Sequence, residues 1–200
     1  MKYSIILIFV IAFFGEGHAQ TEKGSFMIGG SLRVQRSEYD IAPPFGGGGK
    51  LIQGSFNVSP TAGYFFVNNL MTGLQASYTR GWTLNEPDTK LNSASIGPVI
   101  RYYFPVGKFA FFPEVGAFFQ HIANTGRTFD TNTGIPVLQT RKENGSSIRA
   151  GVGATWFVST NIGIEAILAY QNVNTENTIN SDSKLLYFNI GLQFYLPGKG

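Results

Sequence analysis

Residues 185–196, LLYFNIGLQFYL, decide the fold. Leu186, Phe188, Ile190, Leu192, Phe194 and Leu196 fall on one side of an extended chain. Leu185, Tyr187, Asn189, Gly191, Gln193 and Tyr195 fall on the other. Successive side chains of a strand point to opposite faces, so strict period two marks a strand lying between two different environments. Here one face is wholly apolar, and the other is mostly polar, small or amphipathic.

The same split recurs in seven further segments, at 25–35, 52–66, 70–79, 93–104, 109–120, 147–158 and 162–171. Each is about ten or more residues long, the length a tilted strand needs to cross a bilayer. Tight turns at Asn68-Asn69, Gly107-Lys108 and 159–161 close hairpins. Between them lie longer polar stretches at 40–49, 85–92, 124–145 and 174–182, read as loops. Short turns on one side and long loops on the other are the asymmetry of a transmembrane barrel, with the termini on the periplasmic side. The prediction is an all-β, eight-stranded, antiparallel up-and-down transmembrane β-barrel.

Composition agrees. Charged residues make up 14% of the 200-residue chain, against the ~25% usual for a soluble domain. There is no cysteine, so an exported form must be held together by core, sheet closure or lipid instead of disulfides. Met1-Lys2 followed by the apolar run 5–14, with Gly17 and Ala19 at the cleavage positions, predicts an export signal over 1–19. The barrel domain is then 20–200. That apolar run is too short for a membrane helix, which takes ~20 residues, and nothing after Ala19 approaches the length. Lipid cannot satisfy an open sheet edge, so a membrane location requires a closed barrel. A net charge of +3 with scattered basic residues gives no reason to expect nucleic acid as a partner.

GYFFVNNLMTGLQASY (63–78) aligns without a gap on TWFVSTNIGIEAILAY (155–170), an internal repeat of strand end, turn and strand. Tyr64, Tyr102 and Trp156 stand near the end of outward faces, and Tyr78 and Tyr170 stand eight residues after the start of one. Eight residues at ~3.3 Å each, tilted ~40°, rise roughly 20 Å, so these five residues are expected to form two aromatic girdles.

The motifs Pro60-x-x-Gly63-Tyr64-Phe65, Asn69-Leu70-x-x-Gly73-Leu74-x-x-x-Tyr78, Gly97-Pro98-x-x-Arg101-Tyr102-Tyr103-Phe104 and Gly191-Leu192-x-Phe194-Tyr195 occur in order. On these the chain resembles the small outer-membrane β-barrel family of the OmpA transmembrane domain and OmpX type. The resemblance runs from Lys23 to Leu196. It implies outer-membrane location, contact with lipid and lipopolysaccharide, insertion by the barrel-assembly machinery, and a monomer. Two departures are a Leu196-Pro197-Gly198-Lys199-Gly200 ending in place of a terminal aromatic, and no peptidoglycan-binding domain, so cell-wall tethering is not implied.

Face assignment sends Arg33, Arg101, Glu114, Arg149 and Glu165 into the lumen, where poorly hydrated charges should pair. A two-residue turn at Gly107-Lys108 sets Arg101 directly opposite Glu114; Glu165 is expected to meet Arg33 or Arg149. Arg80, outward at the external end of its strand, is a candidate for lipopolysaccharide phosphates.

No catalytic, cofactor or metal constellation is predicted. His121 lacks a serine at the expected neighbouring site, and residues 46–50 have the wrong glycine–lysine spacing for a phosphate loop. The expected role is a non-enzymatic structural or surface-interaction barrel with four external loops. A narrow low-conductance channel and a soluble lipocalin-like carrier are the alternatives; the carrier would need the opposite polarity.

Overall fold

The computed structural model describes residues 20–41, 49–84, 86–129, 135–175 and 183–198. The expected export signal, 1–19, lies outside the described residues, as does most of the 46–50 segment. The strands are β1 (Phe26–Ile41), β2 (Gly49–Val67), β3 (Leu70–Thr83), β4 (Glu86–Tyr102), β5 (Phe104–Val106), β6 (Phe109–Phe129), β7 (Pro136–Ser159), β8 (Ile162–Thr175) and β9 (Ser183–Leu196).

Neighbours pair antiparallel throughout, β9 returns to pair with β1, and β4 pairs directly with β6. The sheet is therefore closed. Nine strands make eight staves, because β5 continues β4 after a break at Tyr103 and both pair with β6. The wall survives that break: the Tyr103 amide donates to the Asn69 carbonyl at 2.8 Å. Closure leaves no edge for lipid to expose.

Register gives the stagger. A level path runs from Phe26 through Tyr64, Thr72, Ile100, Val115, Ala150 and Tyr170 to Leu186. The residue of β9 that faces Phe26 is Leu196, ten residues further on. Ten residues of rise over eight strand spacings tilt the strands by about 40°. The bore of such a barrel is only wide enough for side chains to fill.

The faces fall as the alternation requires. Phe119 is 77% exposed and Val34 76%, while Asn57, Thr61, Gln75 and Glu114 are buried inside. This polarity is inverted relative to a soluble carrier, so the lipocalin-like alternative fails.

Two of the stretches read as loops are mostly strand. β4 begins at Glu86, and β6 and β7 stay paired as far as Phe129↔Pro136, so 85–92 and most of 124–145 extend the hairpins. The internal repeat is structural as well. Its two halves carry the same register shift before the turn, at Phe65/Val67 and at Phe157/Ser159. Asn69 and Gly107 take positive φ, 68° and 59°, as tight reversals require.

The chain before β1 folds across the turn end. Thr21 Oγ donates to Asn69 Oδ1 at 2.6 Å, and the Gly24 amide donates to the Phe65 carbonyl at 2.8 Å.

Candidate functional site

The lumen is the candidate site, and it is built in three storeys. At the turn end the inward members of consecutive aromatic pairs meet. Phe65 lies 5.6 Å from Tyr103 and 6.4 Å from Tyr195; Tyr103 lies 5.1 Å from Phe112, and Tyr195 lies 5.3 Å from Phe157. Met27 and Met71 are fully buried with them. This is an aromatic floor: large rings, each carried by a different stave, fill the bore.

Charges occupy the middle storey. Arg101, 2% exposed, donates through Nε to Glu114 Oε2 and through Nη1 to Glu165 Oε2 at 2.9 Å. Arg149 Nη2 lies 2.6 Å from Glu114 Oε1, an ion-pair contact without hydrogen-bond alignment. Gln193 Nε2 reaches the other oxygen of Glu165 at 3.4 Å. Arg101 also ties this storey to the floor: it donates to the Tyr103 hydroxyl at 3.3 Å and its guanidinium carbon stands 4.9 Å from the Phe112 ring centroid. The void left among these groups is about 10 Å³, no more than the ~10–15 Å³ that one water needs.

Above, on the loop side, lies a vestibule of about 320 Å³. Hydroxyls and amides such as Ser55, Asn57, Thr79 and Gln171 line it, with Arg33 and Arg149. Tyr187 organises this storey. Its ring lies 4.1 Å beneath the Arg33 guanidinium carbon, and its hydroxyl donates to Gln171 Oε1 at 3.2 Å.

The structure therefore brings Arg101 and Glu114 face to face, at the register read from the Gly107-Lys108 turn. Glu165 is a correction: its partner is Arg101, across the bore, and neither Arg33 nor Arg149. Arg33 packs on Tyr187.

A closed antiparallel wall, an apolar exterior and a polar, charged lumen are now in place. The model of the outer membrane protein beta-barrel domain matches residues 5–194. The chain belongs to this family.

It is an outer-membrane protein, and several solved structures are similar to it at low identity. OprG from Pseudomonas aeruginosa matches with a TM-score of 0.51 at 12% identity, over 90% of this chain and 99% of that one. The N-terminal barrel domain of OprF from the same organism gives 0.44 at 16%, over 87% and 98%. Ail of Yersinia pestis gives 0.44 at 14%, over 87% and 99%. No curated protein matches the chain.

On the outside of this outer-membrane barrel, Tyr78, Tyr102, Trp156 and Tyr170 are exposed on the wall. Tyr64 is half-buried, packed 4.8 Å from both Phe26 and Phe66. Tyr78 donates to Asn92 Oδ1 at 3.1 Å near the loop end. Trp82, not among the residues expected from the sequence, is exposed one pleat beyond Arg80. Arg80 is exposed between Phe56 and Asn92. His121 sits on the outer wall with Ala94 and Asn144 as lateral neighbours, its Nδ1 2.9 Å from Asn144 Oδ1. Neither lateral neighbour carries a hydroxyl; Ser146, which pairs with Phe119, stands one pleat away on the same outer face. Among the described residues no group of His, Asp or Glu is placed to hold a metal ion.

The floor is what the sequence reading missed. The signal was available as doublets: Phe65-Phe66, Tyr102-Tyr103, Phe111-Phe112, Trp156-Phe157 and Phe194-Tyr195. In a strand each doublet sends one ring to lipid and one into the bore.

Proposed function

We propose that this outer-membrane barrel is a closed, non-enzymatic wall that presents four hairpins at the cell surface. The loop end faces outward and the termini and aromatic floor face the periplasm. The observation that carries the reading is the floor: Phe65, Tyr103, Phe112 and Tyr195 occlude the bore beneath a charge network that leaves no room for a file of water. The surface role rests on the hairpins. β6 and β7 stay paired well beyond the level of the loop-end girdle, and Arg127 at their tip forms an ion pair with Asp88 in the β3–β4 hairpin. This makes two of the four hairpins one braced platform, with Ile135, Val137 and Leu138 exposed beside it.

Lipid and lipopolysaccharide are the partners of the wall, and the exposure of Arg80 supports a contact with headgroup phosphates. The barrel-assembly machinery inserts the chain, which works as a monomer. Planar-bilayer recording on the folded full chain is the test. The expected result is no conductance steps; sustained open-channel current through the unmodified barrel overturns the closed-wall reading.

A further inference from the structure

Three arginines and two glutamates point into the lumen below its rim, which leaves one positive charge over. The pairings locate it. Arg101 and Arg149 share Glu114 and Glu165 between them, so the middle storey is neutral. Arg33, in the vestibule above, has no carboxylate partner among the described residues.

Arg33 is nevertheless held. Its guanidinium carbon lies 4.1 Å over the Tyr187 ring, and that of Arg149 lies 4.5 Å over the Phe118 ring, both facing the same cavity. Packing on an aromatic face covers the plane of a guanidinium and leaves its N–H edge for oxygen acceptors. Two oxygens of a phosphate or carboxylate fit that edge. Arg149 donates through Nη1 to the Tyr187 hydroxyl at 3.5 Å, and its buried Nε group has no acceptor in the protein. Two buried amide oxygens, Asn189 Oδ1 and Gln75 Oε1, have no donor; both residues border the vestibule and the small void of the middle storey. Residues bordering the vestibule thus carry unused cationic donors and unused neutral acceptors. An occupant that answers both carries anionic oxygens and hydroxyls. A volume of about 320 Å³ stands at the low end of the ~300–1,000 Å³ usual for ligand pockets, enough for one sugar ring with a charged substituent.

We propose that the vestibule is a binding site for a small hydroxylated phosphate ester of sugar-phosphate type, held by Arg33 and Arg149, with Asn189 and Gln75 accepting from its hydroxyls.

The test is calorimetric titration of the folded full chain in detergent with glucose 6-phosphate, glucose and inorganic phosphate as separate probes. Saturable binding of glucose 6-phosphate, weaker binding of inorganic phosphate and weakest binding of glucose are expected. Arg33→Gln should weaken the sugar phosphate by at least about tenfold, the scale of one charge-assisted bidentate contact. Arg127→Gln, at the hairpin tip, should leave it unchanged. Retained heat-modifiable gel migration shows that Arg33→Gln is folded. Binding that survives Arg33→Gln, glucose binding as tightly as its phosphate, or no saturable binding of the phosphate ester overturns the proposal.

Discussion

Replacing Arg101 by Met removes the one group that joins both lumenal carboxylates. Charges 2.9 Å apart, as Arg101 and Glu165 are, attract by roughly 6 kcal/mol at an effective dielectric of about 20. Desolvation of several kcal/mol per ion offsets most of that gain while the pair is intact. Once Arg101 is gone the offset remains and the attraction does not. Glu114 keeps Arg149 at 2.6 Å, but Glu165 keeps only Gln193 at 3.4 Å. The expected loss is ~3–5 kcal/mol, the usual cost of stranding one member of a buried pair. Adding Glu165→Gln neutralises the stranded carboxylate, so Arg101→Met/Glu165→Gln should be more stable than Arg101→Met by at least about 1 kcal/mol. Urea titration of the folded barrel in phosphocholine vesicles, followed by the fluorescence of Trp82 and Trp156, measures both. A loss under about 1 kcal/mol for the single variant refutes the claim that the network is buried and mutually dependent. A double variant no more stable than the single one refutes the assignment of Glu165 to Arg101.

Gly97→Ala is expected to destabilise by ~1–3 kcal/mol, because its methyl group would stand 2.7 Å from Phe118 Cα, in the backbone of the adjoining stave. Gly126→Ala, with nothing within 4 Å of the new atom, should be neutral in the same urea titration. Phe112→Ala removes the ring between Tyr103 and Arg101 and should cost ~3–5 kcal/mol; a smaller loss in chemical unfolding would mean that the floor is loosely packed. Arg80→Ala should slow folding into vesicles containing anionic glycolipid and leave the rate in neutral vesicles unchanged, as stopped-flow fluorescence can determine.

The barrel and its faces were legible because each membrane-spanning segment has lipid on one side and a polar bore on the other, which writes period two into the residues. Where that contrast ends, so does the signal. Residues 86–92 and 124–129 have water on both sides, so their strands carry no alternation and resemble loops, although the ladder continues from the pairs below them. Charge pairing divides in the same way. Arg101 and Glu114 are joined by a two-residue turn, so local counting places them opposite each other. Glu165 lies on β8 and Arg101 on β4, three staves apart, and their meeting depends on the accumulated stagger of the whole wall, including registers hidden behind long connections. The aromatic floor was partly legible: in two of the five doublets the outward ring, Tyr102 or Trp156, is an expected girdle residue, and in each doublet the inward neighbour fills the bore.

The order of the three storeys follows from their hydration. The floor excludes water from the turn end, so charges just above it sit where an unpaired ion costs several kcal/mol. That storey holds two arginines and two glutamates, and its net charge is zero. The surplus arginine stands higher, in the cavity on the loop side, where water can solvate its edge and only its face needs cover from Tyr187. Had Arg33 and Glu165 exchanged storeys, three arginines would share one carboxylate, Glu114, at the driest level of the bore and two would be unmatched. A barrel with more staves would admit water and relax this requirement. With eight, sealing the bore and balancing its charge are a single constraint. On the closed-wall reading proposed above, any exchange of solute with the lumen takes place from the loop end.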